Sequence, residues 1–365
     1  MTNRERILKI FTGERPDRVP WFADLDYWYS ARKLAGSLPE KYLGDGYFNL
    51  NRENGCGFYL QGYFPFAEIA EGVSCHTERL NNDIITTMST PMGPLTQISR
   101  FLPVSSSHAF IKHFVECEDD LPAFQCYIES LSFKPDYAEA ERRKGIIGDN
   151  GGVLCYTPRS PFMQNLTTFF GAQTLLLMLA DIPGKIGALL GLMGEKYDQA
   201  ARLAVDSPAE MIMIPENLSS EVVGGYYKQY LRPYEEKWIA EIRKAGKVSF
   251  IHMDGTLRGL IRQVAETGFD VIEAVTPAPV GDISMGELAA FVPGNTILWG
   301  GAPGIMFTPR VSEEAFRSHI IDTLAVMKTA PRFVLGVADQ VPPDGMIERV
   351  KAVSALCDEY GRYLG

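Results

Sequence analysis

Apolar residues recur along this chain with two different periods, and the two periods alternate. Residues 1–11 place isoleucine, leucine and phenylalanine at helical spacing among charges, which predicts a helix over 2–12 stopped by Gly13 and Pro16. Residues 18–26 read as a first strand with acids at its end, 28–50 as helical or irregular, and 57–61 as a second short strand. From residue 152 onward the alternation is regular. Strands are expected at 152–156, 210–216, 248–252, 270–275, 296–299 and 333–337. Between and after them lie helical patterns at 172–205 (two, separated near Pro183), 226–245, 257–267, 313–328 and 345–360.

Continuous apolar strands alternating with amphipathic helices predict an α/β protein whose parallel sheet is covered by helices. The strands are short and no GxGxxG loop accompanies them, which favours a closed (β/α)8 TIM barrel over an open dinucleotide-binding sheet. Residues 72–103 differ in texture. Polar and β-branched residues at 73–80, 83–87 and 93–101, with a turn at Asn81 and Asn82, predict an inserted antiparallel β-hairpin or meander. That insertion accounts for length beyond the ~250 residues typical of such barrels. With no repeat, low-complexity stretch or linker, residues 1–365 read as a single domain.

Composition narrows the partners. The 365 residues are 46% hydrophobic and 22% charged, ordinary for a soluble protein with a large core. A net charge of −10 argues against nucleic acid or an anionic membrane as the main partner. The longest apolar stretch, 175–194, is interrupted by Asp181, Pro183 and Lys185, so no membrane span is expected. The six cysteines form no CxxC pair and read as reduced thiols of a cytoplasmic protein.

In a barrel of this kind the chemistry sits where strands end. Phe250, His252 and Asp254 are two apart and share a face, taken as the lumen. Ile212, Ile214 and Glu216 likewise share a face, which is expected to place Glu216 beside His252. Glu273 and Asp339 end two further strands. One histidine and up to four carboxylates would then meet at one mouth, and Glu216, His252 and Asp339 could bind a divalent metal with a position left open. The blander alternatives stand beside this one. His252 could be a structural histidine bonded to a carboxylate, Asp254 a helix cap, and Glu273 and Asp339 partners of barrel arginines. Asp24 and Asp26 read as turn or cap residues.

The chain resembles the uroporphyrinogen decarboxylase superfamily. The matching pieces are RERILKIFTGERPDRVP at 4–20, Thr90 to Gly93, Ile251 to Gly255, Phe333 to Gly336 and the trailing Val341, Pro342 and Pro343. The resemblance implies a distorted (β/α)8 barrel, a homodimer, and a site in a cleft at the strand C-termini. True uroporphyrinogen decarboxylases carry an arginine-rich segment after the first strand. Here that place holds Asp24 and Asp26, with Arg32 beyond. The corrinoid-dependent methyltransferase branch uses zinc held by His-x-Cys and a second cysteine near the last strand. His252 matches that histidine, whereas Asp254 and Asp339 stand where sulfur is absent.

A nitrogen and oxygen ligand set is harder than a thiolate set and suits an oxygen-bearing donor such as a methoxylated aromatic. The expected function is therefore metal-assisted methyl transfer (O-demethylation) from a small donor to a corrinoid carried by a separate protein. Zinc would be held by Glu216, His252 and Asp339, with Asp254 or Glu273 orienting His252 or moving a proton. The alternatives are a carboxy-lyase acting on a small carboxylate or tetrapyrrole, and a ligand-binding barrel without turnover.

Overall fold

The structure, a computed structural model, describes residues 1–59, 63–330 and 332–363. Within it the chain forms two compact units. The first comprises Met1–Tyr63, Ala138–Tyr156 and Pro208–Gly365, and the second Phe64–Tyr137 and Thr157–Ser207.

The first unit is built on seven parallel strands: β1 (Trp21–Phe22), β2 (Leu154–Tyr156), β3 (Met211–Leu218), β4 (Val248–Met253), β5 (Val271–Val275), β6 (Ile297–Pro303) and β7 (Phe333–Ala338). Their order is β1-β7-β6-β5-β4-β3-β2, so each strand from β2 to β7 lies beside its successor while β1 returns to pair with β7. Helices Arg232–Lys244, Ile261–Thr267, Met285–Phe291 and Glu313–Met327 make the crossovers from β3 to β7, and Ile347–Tyr360 follows. Helices on one side and side-chain packing on the other bury β5, β6 and β7 along their whole length. This is why those strands read as unbroken apolar runs.

Of the first expected strand only Trp21–Phe22 forms. The second appears as Phe58–Tyr59, while Leu60 and Gln61 of that expectation lie outside the described residues. Phe58–Tyr59 pairs in parallel with Gly151–Gly152, and Gly57 bridges Phe22.

The concave side of the curled sheet is filled by Phe22, Leu154, Met211, Met213, Phe250, Val271, Ile297, Trp299 and Val334, with Ile7 and Ile10 of helix Asn3–Thr12 packed against them. Trp299 is the hub. Its ring lies 5.1 Å from Phe22, 4.7 Å from Tyr59 and 5.6 Å from Phe250. Gly336 leaves it room, since a Cβ there would stand 2.7 Å from the indole. Emptying such a site by Trp299→Ala would cost about 3–5 kcal/mol.

The second unit contains the segment expected to be antiparallel. It forms a four-stranded meander, Ser74–Leu80, Asp83–Thr90, Gly93–Leu102 and Ser107–Lys112. Asn81 takes a left-handed φ of 55° in the turn between the directly paired Leu80 and Asp83. The fourth strand was not legible, because Ser107–Lys112 buries none of its residues fully and has no apolar alternation to announce it. Strand Phe66–Ala70 pairs with Leu131–Pro135, and helices Leu121–Ser130, Ala172–Asp181 and Pro183–Asp206 complete the unit. No helix among the described residues is long and apolar enough to cross a membrane.

Candidate active site

Parallel pairing sets His252 of β4 directly beside Glu273 of β5. Their side chains meet as that register requires, with His252 Nδ1 2.6 Å from Glu273 Oε2. The other carboxylate oxygen accepts from the Tyr59 hydroxyl at 2.7 Å. Glu273 is fully buried, so both of its oxygens are committed inside the protein. Holding Nδ1–H against Glu273 leaves Nε2 of His252 facing the mouth, where Asp339 Oδ1 lies 3.9 Å away.

The electrostatics follow from this geometry. Burial by itself would lower the His252 pKa, but the charge and hydrogen bond of Glu273, with the charges of Asp254 and Asp339, raise it to about 9. Asp339 is raised above the usual carboxylate range by desolvation and by Asp254 and Glu273, with His252 opposing. Its side chain is nonetheless 56% exposed, so it is the solvent-facing member of the group.

Backbone geometry at the strand ends is unusual. Asp339 has φ 68° and Ala274, next to Glu273, has φ 64°, with a register shift between Ile272 and Val275 where β5 meets β6. Such bulges re-aim side chains, and left-handed φ at a non-glycine residue is held only where the surroundings impose it.

His252, Asp254 and Asp339 each offer a ligand atom, and these atoms lie within 4.8 Å of one another. One imidazole nitrogen and two carboxylates, with Glu273 behind the imidazole, fit a divalent cation that keeps open positions. Asp254 does not cap the next helix, which begins only at Ile261, and its backbone N–H donates to Leu218 O at 3.1 Å.

Glu216, expected beside His252, lies elsewhere. The face of β3 that fills the concave core is Met211 and Met213, and Met213 pairs with Phe250, so Ile212 and Ile214 belong to the other face. The register also slips between Ile214 and Leu218, with Asn217 at φ 58°. Glu216 is fully buried, and its charge acts on Glu235 of helix Arg232–Lys244 and on Tyr227. It is not one of the three clustered ligand groups.

Three side chains join the site without having been anticipated. Tyr59 is one. Asp24 is another: it does form the expected turn, accepting from Asp26 N–H at 2.9 Å. It is also buried, and desolvation with the charges of Asp26, Glu273 and Asp339 raises it to about 8 despite that bond. Gln340 is the third, donating to Asp24 Oδ2 at 3.1 Å. A cavity of about 310 Å³ is lined by Asp24, Asp26, Tyr47, Tyr59, Arg142 and Arg143. Glu139 holds both arginines. An acidic residue at the end of a strand is a usable signal for Asp24, whereas a tyrosine on a two-residue strand carries none.

Comparison with known proteins agrees with this architecture. Residues 164–360 match the family model described as uroporphyrinogen decarboxylase (URO-D). A uroporphyrinogen decarboxylase from Trichodesmium erythraeum (strain IMS101) is 21% identical over 214 residues, 58% of this chain. The match spans only 56% of that relative's length. Among solved structures, a methyltransferase from Methanosarcina mazei superposes with a TM-score of 0.62 at 15% identity, covering 99% of each chain. At that identity the likeness establishes the fold.

Proposed function

As the chain belongs to the uroporphyrinogen decarboxylase family, we propose that it is an enzyme that moves a methyl group from a small oxygen-bearing donor to a corrinoid carried by a separate protein. On this reading the seven-stranded sheet, continued through Gly57 to the Phe58–Tyr59 and Gly151–Gly152 pair, is a (β/α)8 barrel whose mouth carries the chemistry. The observation that carries the reading is the grouping of His252, Asp254 and Asp339 ligand atoms within 4.8 Å, with Glu273 bonded behind the imidazole.

A zinc ion held by those three side chains would supply Lewis-acid polarisation of the donor's oxygen. The protein's own groups do the rest. Glu273 keeps the proton on Nδ1, so the proton that leaves on metal binding is the one on Nε2, whose lone pair then faces the mouth. Tyr59 fixes the second oxygen of Glu273 and with it the plane of the imidazole. Asp24, raised to about 8, carries its proton at neutral pH and supplies it to the departing oxygen as the methyl group leaves. The donor's aromatic or aliphatic body would occupy the cavity beside Tyr47 and Tyr59.

A second reading, decarboxylation of a small carboxylate, is favoured by a separate observation: Arg142 and Arg143 line the same cavity as Asp24. They supply cationic groups for a substrate carboxylate, although Glu139 engages both. One experiment separates the two. The full chain is incubated anaerobically with reduced cobalamin and a panel of methoxylated aromatics and small carboxylates, with and without added zinc, and both methylcobalamin and carbon dioxide are measured. Zinc-dependent methylcobalamin supports methyl transfer. Carbon dioxide from a carboxylate in metal-free enzyme, without methylcobalamin, replaces it with the lyase.

A further inference from the structure

Two helices of the second unit, Leu121–Ser130 and Pro183–Asp206, pack against each other and leave a trough of about 700 Å³ between them. Its floor is apolar, formed by Leu121, Pro122, Ala188, Leu189 and Leu192. The spacing on the longer helix explains this. Ile186, Leu189, Met193 and Tyr197 face the core, while Ala188 and Leu192 carry the apolar surface round toward the shorter helix. Pro122, Gln125 and Ala188 are exposed, so the trough is open along its length. A second hollow of about 350 Å³ adjoins it, since Glu118 lines both, and adds Leu177, Met178 and Ile182 to the apolar surface. Leu177 is 57% exposed.

The rim is dominated by one sign of charge. Glu118, Asp119 and Glu129 line the trough, and Glu116 and Asp181 line the adjoining hollow. The cation in this lining, Lys185, is held by Glu118 in an ion pair. Gln125 Nε2 donates to Glu129 Oε1 at 2.8 Å, which fixes that carboxylate beside the floor. The side chains of Asp119 and Asp181 have no ion-pair or hydrogen-bond partner among the described residues. An apolar floor inside a charged rim is the anatomy of a protein interface.

We propose that this trough is the docking groove for a basic amphipathic helix of a separate protein. The partner helix lays aliphatic side chains spaced i, i+3, i+4 and i+7 on the floor between Leu121 and Leu192. Its flanking lysines and arginines meet Asp119, Glu129 and Asp181. Shape favours a helix over a small molecule, because the trough is open and continues past Glu118. Charge favours a basic partner over a second copy, because this chain carries a net charge of −10 and would bring more acid to an acidic rim. The groove lies wholly within the second unit and requires no turnover, so it stands apart from the chemistry assigned to His252.

The probe is a fluorescent synthetic helix of leucine and lysine, about 14 residues long, with its leucines on one face. It is titrated into the full chain beside a scrambled peptide of the same composition and a leucine–glutamate helix of the same pattern. The leucine–lysine helix should bind tightest, with added salt weakening it, and the glutamate helix should not bind. Asp119→Lys combined with Glu129→Lys should weaken binding at least tenfold. Ala188→Trp, which fills the trough from an exposed position without changing charge, should do the same. Both variants alter exposed side chains, and circular dichroism confirms that each is folded. The assignment is overturned if the leucine–lysine helix does not bind, if the scrambled peptide binds as tightly, or if either variant binds as the parent does. It is also overturned if sedimentation of the chain alone shows a dimer that Ala188→Trp dissociates, since the occupant is then a second copy.

Discussion

The curled sheet carries buried acids on both faces, and the two sets behave in opposite ways. On the concave side Glu273 is flanked by His252 and by the Tyr59 hydroxyl, and its charge holds the imidazole proton to about pH 9. On the helix side Glu235 accepts from the Tyr227 hydroxyl at 2.5 Å, but desolvation and the charge of Glu216 raise its own pKa well above the carboxylate range. Thr267 Oγ1 lies 2.7 Å from the same Tyr227 hydroxyl. Burial is complete for both glutamates, so burial does not separate them. The neighbour does. Beside a base, an acid's charge raises the base, whereas beside another acid an acid is itself pushed toward its protonated form. Only the first arrangement opens toward solvent, through His252 and Asp339, at 13% and 56% side-chain exposure.

The strongest way to break this contrast is to remove the imidazole. His252→Ala should lower zinc affinity by more than the roughly 100-fold that loss of an outer partner costs, and methyl transfer should vanish with it. Glu216→Gln should change neither. Competition titration of zinc against a chromophoric chelator reads both variants, and equal affinity in parent and His252→Ala would remove the site. Next in size, Glu273→Gln should cost about 10–100-fold in zinc affinity, because the imidazole loses its orienting carboxylate. A loss shared with Tyr59→Phe, less than additive in the double variant, would show that the two act through one carboxylate.

The pH dependence of zinc binding sharpens the same side. With His252 raised to about 9, a proton must leave before Nε2 can bind, so affinity should rise with pH by up to about tenfold per unit until that value is reached. A profile flat between pH 7 and 9 would contradict the arrangement. The smallest effect belongs to the helix side. Glu235 has a folded pKa above its unfolded value near 4.5, so the unfolded chain ionises first. Stability from this group is therefore intact below about pH 4.5 and declines as pH rises toward the folded pKa, by at most about 1.4 kcal/mol per unit. Glu235→Gln should flatten that slope in urea melts recorded across pH, while Glu273→Gln should leave it in place.

Several of these features are legible in the sequence. The alternation of apolar runs and amphipathic stretches determined a parallel sheet with helical crossovers, because strands buried on both sides need apolar residues throughout. The two-residue period placed His252 and Asp254 on one face, and the polar residue after the apolar run at 333–338 placed Asp339 at a strand end.

That same burial hid what came next. In β3 both faces are apolar, Met211 and Met213 on one and Ile212 and Ile214 on the other, so nothing in the pattern says which face is concave. Glu216 was expected beside His252 for that reason, whereas its charge acts on Glu235 and Tyr227. The slips beyond Ile214 and at Ala274 cannot be read from alternation at all. The partnership of Tyr59, Glu273 and His252 and the elevated pKa of Asp24 depend on groups far apart in sequence. The sequence alone determined which residues could carry charge at the strand ends. Tertiary structure decided which of them meet, because a side chain's ionisation is set by its neighbours in space and its facing by a register that local pattern does not encode.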